Sequence, residues 1–146
     1  MPSDKKIVPL SQWKCDVCGG VVTVDDGYVV WDAPASPNHS FQIIHKVKCD
    51  RNDRKSNMPL SYFLGPDGLA VLTSMLSYGI VHTTNRSESA PPVPELNQFV
   101  DFLRRVQIPG YEEARDWLQS REAYDDLNDA NEVYPYVQSS LSRYAL

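Results

Sequence analysis

The chain has 146 residues, 42% hydrophobic and 23% charged, with a formal net charge of −5. That size and balance suit one compact domain or two very small lobes, and exclude disorder, collagen or a coiled coil as whole-chain readings. No apolar run reaches the about 18 residues of a membrane span, and Met1-Pro2-Ser3-Asp4-Lys5-Lys6 has no apolar stretch behind it. The sequence therefore predicts neither a membrane protein nor a secretory leader, and a cytoplasmic location.

Charge is uneven. Residues 1–55 carry eight Lys/Arg against seven Asp/Glu, whereas residues 56–146 carry six against twelve. An acidic chain is a poor general polyanion binder, so any nucleic-acid surface has to be local and lie in the first third.

The first fifty residues read as β-rich. Val21-Val22-Thr23-Val24 and Tyr28-Val29-Val30-Trp31 are β-branched and aromatic runs, and Asp25-Asp26-Gly27 between them predicts a hairpin turn. Ala33 to Ser40, with two prolines and an Asn, reads as a loop. Phe41 to Lys48 reads as a third strand, with Phe41, Ile43 and Val47 on one face and His45 among them.

Helical periods begin near residue 59. Pro66 suits the first turn of a helix and Gly79 its stop, with Leu69, Leu72 and Leu76 as an apolar stripe. Ile80-Val81-His82 is ambiguous between a helix tail and a short strand. Residues 83–94 read as a linker. Pro94 opens a second helix with Leu96, Phe99, Val100 and Leu103 inward, and Ile108-Pro109-Gly110 breaks it. Tyr111 to Asn131 reads as one bent helix or two abutting ones, with Tyr111, Ala114, Trp117, Leu118, Tyr124 and Leu127 inward. Pro135 opens a last helix carrying Val137, Leu141 and Tyr144. Strands first and helices later is an α+β order.

Three cysteines cannot form a full disulfide framework, and a reducing compartment disfavours one. Cys15-Asp16-Val17-Cys18-Gly19-Gly20 instead has the form of a metal knuckle: two thiolates converge, and the glycines let the backbone turn its amides toward sulfur. This hexapeptide, followed by β-strands, resembles the zinc knuckle of zinc-ribbon and treble-clef modules over about residues 13–50. That resemblance implies a structural Zn²⁺ with four ligands. Cys49 is the third candidate and His45 the fourth. His45 requires a bend, because residues four apart on an extended strand stand about 13 Å from one another. His39, Asp50, His82 or water are the alternatives. A redox dithiol would call for a βαβ context, which is not visible here.

Other chemistry is sparse. H-E-x-x-H, the deaminase pattern, a Gly-rich phosphate loop, a G-x-S-x-G elbow and a calcium loop are all missing from the sequence. Lys46, Lys48, Arg51, Arg54 and Lys55 form a basic segment beside Cys49 that can meet phosphates or simply be solvated. Glu122, Asp125, Asp126, Asp129 and Glu132 read as the solvent face of a helix.

The expectation is an α+β protein. A zinc-binding β-rich module spans residues 1–58, and a part with four or five helices spans residues 59–146, packed as one unit. The expected function is that of a non-catalytic zinc protein that binds a protein partner or regulates one. The first alternative is a nucleic-acid-binding protein that uses residues 46–55. The second is a metal-dependent enzyme, for which no acid–base pair or open ligand set can be named. Partner identity and oligomeric state are not legible in the sequence.

Overall fold

The structure, a computed structural model, describes residues 7–31, 41–50, 56–77, 96–129 and 134–144. Strands precede helices, giving the α+β architecture that the sequence predicts. Strands β1 (Gln12–Lys14) and β2 (Val21–Thr23) form a two-stranded antiparallel sheet in which Trp13 faces Val22, both fully buried. Strands β3 (Gly27–Trp31), β4 (Gln42–His45) and β5 (Ser56–Pro59) form a second antiparallel sheet in the order β4-β3-β5.

The hairpin expected between residues 21–24 and 28–31 does not form, because β2 pairs with β1 and β3 pairs with β4 and β5. The nearer turn wins. The Cys15 amide donates to the Gly20 carbonyl at 2.8 Å and the Gly19 amide to the Cys15 carbonyl at 3.0 Å, which folds β1 back onto β2. Residues 24–26 then become the corner between the sheets, where the Asp26 carbonyl accepts the Lys46 amide at 2.9 Å. Gly27 serves close packing there: a Cβ would lie 2.5 Å from Leu60 Cδ2 and 2.8 Å from the Thr23 carbonyl oxygen.

β4 is shorter than the strand expected over Phe41 to Lys48. It stops at His45, and Val47 is 87% exposed instead of sharing the buried face of Phe41 and Ile43. β5 carries no β-branched residue and ends on a proline, which is tolerated because it is an edge strand.

After a single 3-10 turn at Leu60–Phe63 comes helix α1 (Gly65–Leu76), with Pro66 in its first turn. Its buried face is Gly68, Leu72 and Met75, not the expected Leu69, Leu72 and Leu76. Gly68 causes the difference. A Cβ there would lie 2.1 Å from the Phe63 carbonyl carbon, so the helix presses its glycine edge onto that backbone and turns Leu69 and Leu76 outward.

Helix α2 (Leu96–Gln107) buries Phe99, Phe102, Arg105 and Val106, while Val100 and Leu103 pack partly and Leu96 is exposed. Pro109 and Gly110, the latter at φ 87°, end the helical path, and α3 (Tyr111–Leu118) begins at once. α4 (Arg121–Asp129) is separate from α3, and α5 (Gln138–Tyr144) follows. Tyr124 and Val137, expected inward, are exposed; Ala123 is buried on α4 instead, and Leu141 is buried as expected. The expectations for residues 33–40, for Gly79 to His82, for the linker at 83–94 and for Pro94 lie outside the described residues.

One apolar core joins Trp13, Val22, Val29 and Ile43 of the strands to Leu72 of α1 and to Phe99, Phe102 and Val106 of α2. Phe41 is layered between Trp31 (5.3 Å, 22°) and Phe102 (5.1 Å, 11°), so the strand end and α2 share an aromatic stack. A smaller cluster of Tyr111, Ala114 and Leu141 binds α5 to α3, with Tyr144 stacked on Trp117 at 4.3 Å.

Candidate metal centre

The turn between β1 and β2 is the Cys15–Gly20 knuckle. Its amides point at sulfur: Val17 N and Cys18 N lie 3.4 and 3.5 Å from Cys15 Sγ, and Gly20 N lies 3.4 Å from Cys18 Sγ. Gly19 makes this possible at φ 78°, a left-handed conformation that glycine adopts without strain.

The second turn follows β4. The Cys49 amide donates to the His45 carbonyl at 3.2 Å, so the chain bends through Lys46-Val47-Lys48 without glycine or proline. The bend replaces the long separation of an extended strand and brings His45 and Cys49 to the same point.

Cys15, Cys18, His45 and Cys49 thus converge, with one ligand atom from each inside a 4.8 Å group that can hold a metal ion. Cys15 Sγ and Cys49 Sγ are 3.7 Å apart, and His45 Nδ1 is 3.5 Å from Cys18 Sγ and 3.4 Å from Cys49 Sγ. A tetrahedral zinc with Zn–S of about 2.3 Å and Zn–N of about 2.0–2.1 Å sets sulfurs about 3.8 Å apart and sulfur about 3.5 Å from nitrogen. The Cys15–Cys49, Cys18–His45 and Cys49–His45 pairs have these separations, and all four ligand atoms lie within 4.8 Å of one another. A disulfide, at about 2.05 Å, does not fit them, and the three thiols are free.

His45 is also aimed. Its Nε2 lies 2.9 Å from the Val21 carbonyl oxygen, which only accepts. The ring proton therefore sits on Nε2, and Nδ1 turns its lone pair to the sulfurs, the tautomer a metal requires. Asp26 Oδ2, 3.6 Å from Nε2, adds negative charge behind the ring.

The thiols differ electrostatically. The Gly20 amide, outweighing partial burial, draws the Cys18 thiol below its ordinary value. Burial, reinforced by the other two sulfurs, pushes the Cys49 thiol up to about 11. A divalent cation at the centre relieves that crowding of negative charge.

Asp16, inside the knuckle, ties it to the rest of the protein. Its amide donates to the Ile43 carbonyl at 2.9 Å, and its Oδ2 accepts the Ile43 amide at 2.8 Å, covering the free edge of β4. The same Oδ2 receives Arg105 Nη1 at 2.6 Å. Arg105 is buried and also holds Glu112, with Nε to Oε1 at 2.7 Å and Nη2 to Oε2 at 2.8 Å, and donates to the Lys14 carbonyl at 3.0 Å. Sequence reasoning passed over these three residues. The signal was an arginine three positions after Phe102, on the apolar side of α2.

Among the basic residues singled out in the sequence, Lys46 and Lys48 lie exposed on the second turn, with Lys46 Nζ 5.6 Å from the centre of the Tyr28 ring. Arg51, Arg54 and Lys55 lie outside the described residues, as do His39 and His82. Asp50 is described but does not belong to the group of converging ligand atoms. No described helix is long and apolar enough to cross a membrane. Comparison with models of known protein families, with curated proteins and with solved structures finds no match.

Proposed function

We propose that Cys15, Cys18, His45 and Cys49 bind one structural Zn²⁺, and that the protein is a small non-catalytic interaction or regulatory module built on that ion. The observation that carries this reading is His45: its Nε2 is committed to the Val21 carbonyl while Nδ1 faces the sulfurs. Three sulfurs and one imidazole suit zinc over the hard cations. Four protein ligands close a tetrahedral shell and leave no position for a reacting water, which favours a structural over a catalytic ion. A reducing compartment such as the cytoplasm keeps these thiols available.

Support for a protein partner comes from the two turns that carry the site. Val17 stands between Cys15 and Cys18, Val47 between His45 and Cys49, and both are exposed. The nucleic-acid alternative rests on two described cations, Lys46 and Lys48, beside exposed Asp25 and Asp26, and no further observation favours it.

Elemental analysis with thiol titration tests the reading. The expected result is about one zinc per chain, thiols that become titratable on chelation, and a lower melting temperature for Cys15→Ser, because structural zinc contributes folding energy. A protein free of metal as purified, with titratable thiols and the same melting temperature as Cys15→Ser, would overturn it.

A further inference from the structure

We propose that Cys18 is the peroxide-reactive thiol of this site, and that Cys15 resolves it into a Cys15–Cys18 disulfide that dismantles the ligand set. The proposal rests on the zinc reading and concerns how the site is regulated. The three sulfurs are not equivalent. Cys15 and Cys49 are buried and Cys18 is exposed, so a small oxidant meets Cys18 first. Among the described residues, Cys15 Sγ accepts two amides, from Val17 and Cys18, and Cys18 Sγ accepts one, from Gly20. Each such bond withdraws electron density from sulfur, and the sulfur of the knuckle with fewer of these bonds among the described residues is also the accessible one.

The resolving partner follows from how the chain is tethered. Cys15 lies on the same turn as Cys18, with its sulfur inside the same 4.8 Å group. Drawing the two sulfurs to about 2.05 Å contracts the knuckle they share. Gly19, at φ 78° with open space around it, adjoins Cys18 and can absorb that change. Cys49 lies on the other turn, held by the hydrogen bond that its backbone amide donates to the His45 carbonyl.

The chemistry balances with hydrogen peroxide as the oxidant. The Cys18 thiolate attacks one peroxide oxygen, the O–O bond breaks, and Cys18 becomes a sulfenic acid while hydroxide leaves and takes up a proton. The Cys15 thiolate then attacks the Cys18 sulfur, the S–S bond forms and the S–O bond breaks, and a second hydroxide leaves as water. Two thiolates, one peroxide and two protons give one disulfide and two waters. His45 and Cys49 remain as an incomplete pair, and the metal dissociates. Asp16, between the two cysteines, carries the contraction to Arg105 and to β4.

The test uses the full chain, its zinc content measured first. Hydrogen peroxide is added with dimedone, and adducts are mapped by peptide mass spectrometry; a parallel sample without dimedone is mapped unreduced and followed with a chromogenic zinc chelator. We expect dimedone on Cys18 about tenfold ahead of Cys15 and Cys49, a Cys15–Cys18 disulfide, zinc release in step with that disulfide, and recovery on thiol reduction. Equal labelling of the three cysteines, a disulfide through Cys49, or sulfinic acid at Cys18 without a disulfide would overturn the proposal. So would zinc-loaded protein that stays unmodified at peroxide levels that oxidise glutathione, a result that leaves the zinc reading standing. Absence of zinc at the first measurement refutes the zinc reading instead, and with it the switch built on that ion.

Discussion

Arg105 Nη1 lies 2.6 Å from Asp16 Oδ2, so a buried guanidinium on α2 grips one of the two residues that separate the first two cysteines of the candidate metal site. Glu112 closes the other side of the guanidinium, in a bidentate pair with Nε and Nη2. Burial opposes the charge on Arg105, but the two carboxylates outweigh it and raise its pKa above the ordinary arginine value. The knuckle, β1 and the start of α3 are therefore fastened to one side chain.

Removing that side chain takes the buried cation away from two carboxylates, one of them on the buried Glu112. Arg105→Met is expected to cost about 3–5 kcal/mol, the range for breaking a buried pair from one side. Lysine should rescue little, because it lacks the planar fork that meets Glu112 through two nitrogens. Arg105→Met with Glu112→Leu should recover part of the loss, since the uncompensated charge is then gone. Urea midpoints of the three variants decide this, and a wild-type midpoint for Arg105→Met would rule the network out as a source of stability.

Trp13 explains how α2 ends. The Arg105 carbonyl would ordinarily accept the amide four residues later, but that residue is Pro109, which has none. The indole Nε1 of Trp13 supplies the missing donor at 2.8 Å. Trp13→Phe keeps most of the apolar surface and leaves a buried carbonyl unpaired, so a loss of about 1–3 kcal/mol is expected, besides the smaller ring's packing cost. Equilibrium denaturation measures it, and a loss no larger than a few tenths of a kcal/mol would contradict the assignment.

What could be read from the sequence was local. The C-x-x-C-G-G knuckle, Pro66 in a first helical turn and the Ile108-Pro109-Gly110 break each depend on a few neighbouring residues, and each has its counterpart in the structure. The need for a bend between His45 and Cys49 was legible from strand geometry alone. Strand pairing was not. β2 has two possible neighbours in sequence, and the choice of β1 over β3 depends on the knuckle's own hydrogen bonds. The rotation of α1 was hidden for a similar reason: Leu69, Leu72 and Leu76 have a helical period, but Gly68 meets a backbone that only the folded chain brings there. The role of Arg105 was not legible, because its partners Asp16 and Glu112 are 89 and 7 positions away.

Gly68 therefore makes a prediction against helix propensity. Alanine in a helix interior is ordinarily favoured over glycine by about 1 kcal/mol. At position 68 the added Cβ would meet the Phe63 carbonyl carbon at 2.1 Å and its oxygen at 2.4 Å, which are backbone atoms and cannot rotate away. Gly68→Ala is expected to destabilise by about 1–3 kcal/mol, with α1 pushed off the Phe63 turn. Thermal melts would show it, and a melting temperature equal to or above wild type would mean the helix is not seated on that turn.

The pH dependence of stability has two separable sources at the α2–α3 junction. Asp101 accepts Tyr111 Oη at 2.5 Å and a bidentate contact from Arg115, at 3.1 Å for Nε to Oδ1 and 2.8 Å for Nη2 to Oδ2. Burial raises the Asp101 pKa, but Arg115 and Tyr111, with Arg105 further off, outweigh it and hold the carboxyl below its ordinary 3.8. A depressed folded value means that this stabilisation is complete above the ordinary carboxylate pKa and is lost as pH falls toward the folded one. Tyr111 shifts the other way. Burial and the adjacent Asp101 raise its phenol well above the ordinary 10.0, so its contribution is complete below that value and is lost as pH rises beyond it. Melting temperatures against pH, taken as differences between variants in one buffer series, separate the two. Asp101→Asn should narrow its deficit against wild type below pH about 4, where wild type itself loses the interaction. Tyr111→Phe should narrow its deficit above pH about 10, where the unfolded wild-type chain releases the phenol proton and the folded one does not. Deficits that stay constant across both ranges would show that neither group titrates differently in the folded protein.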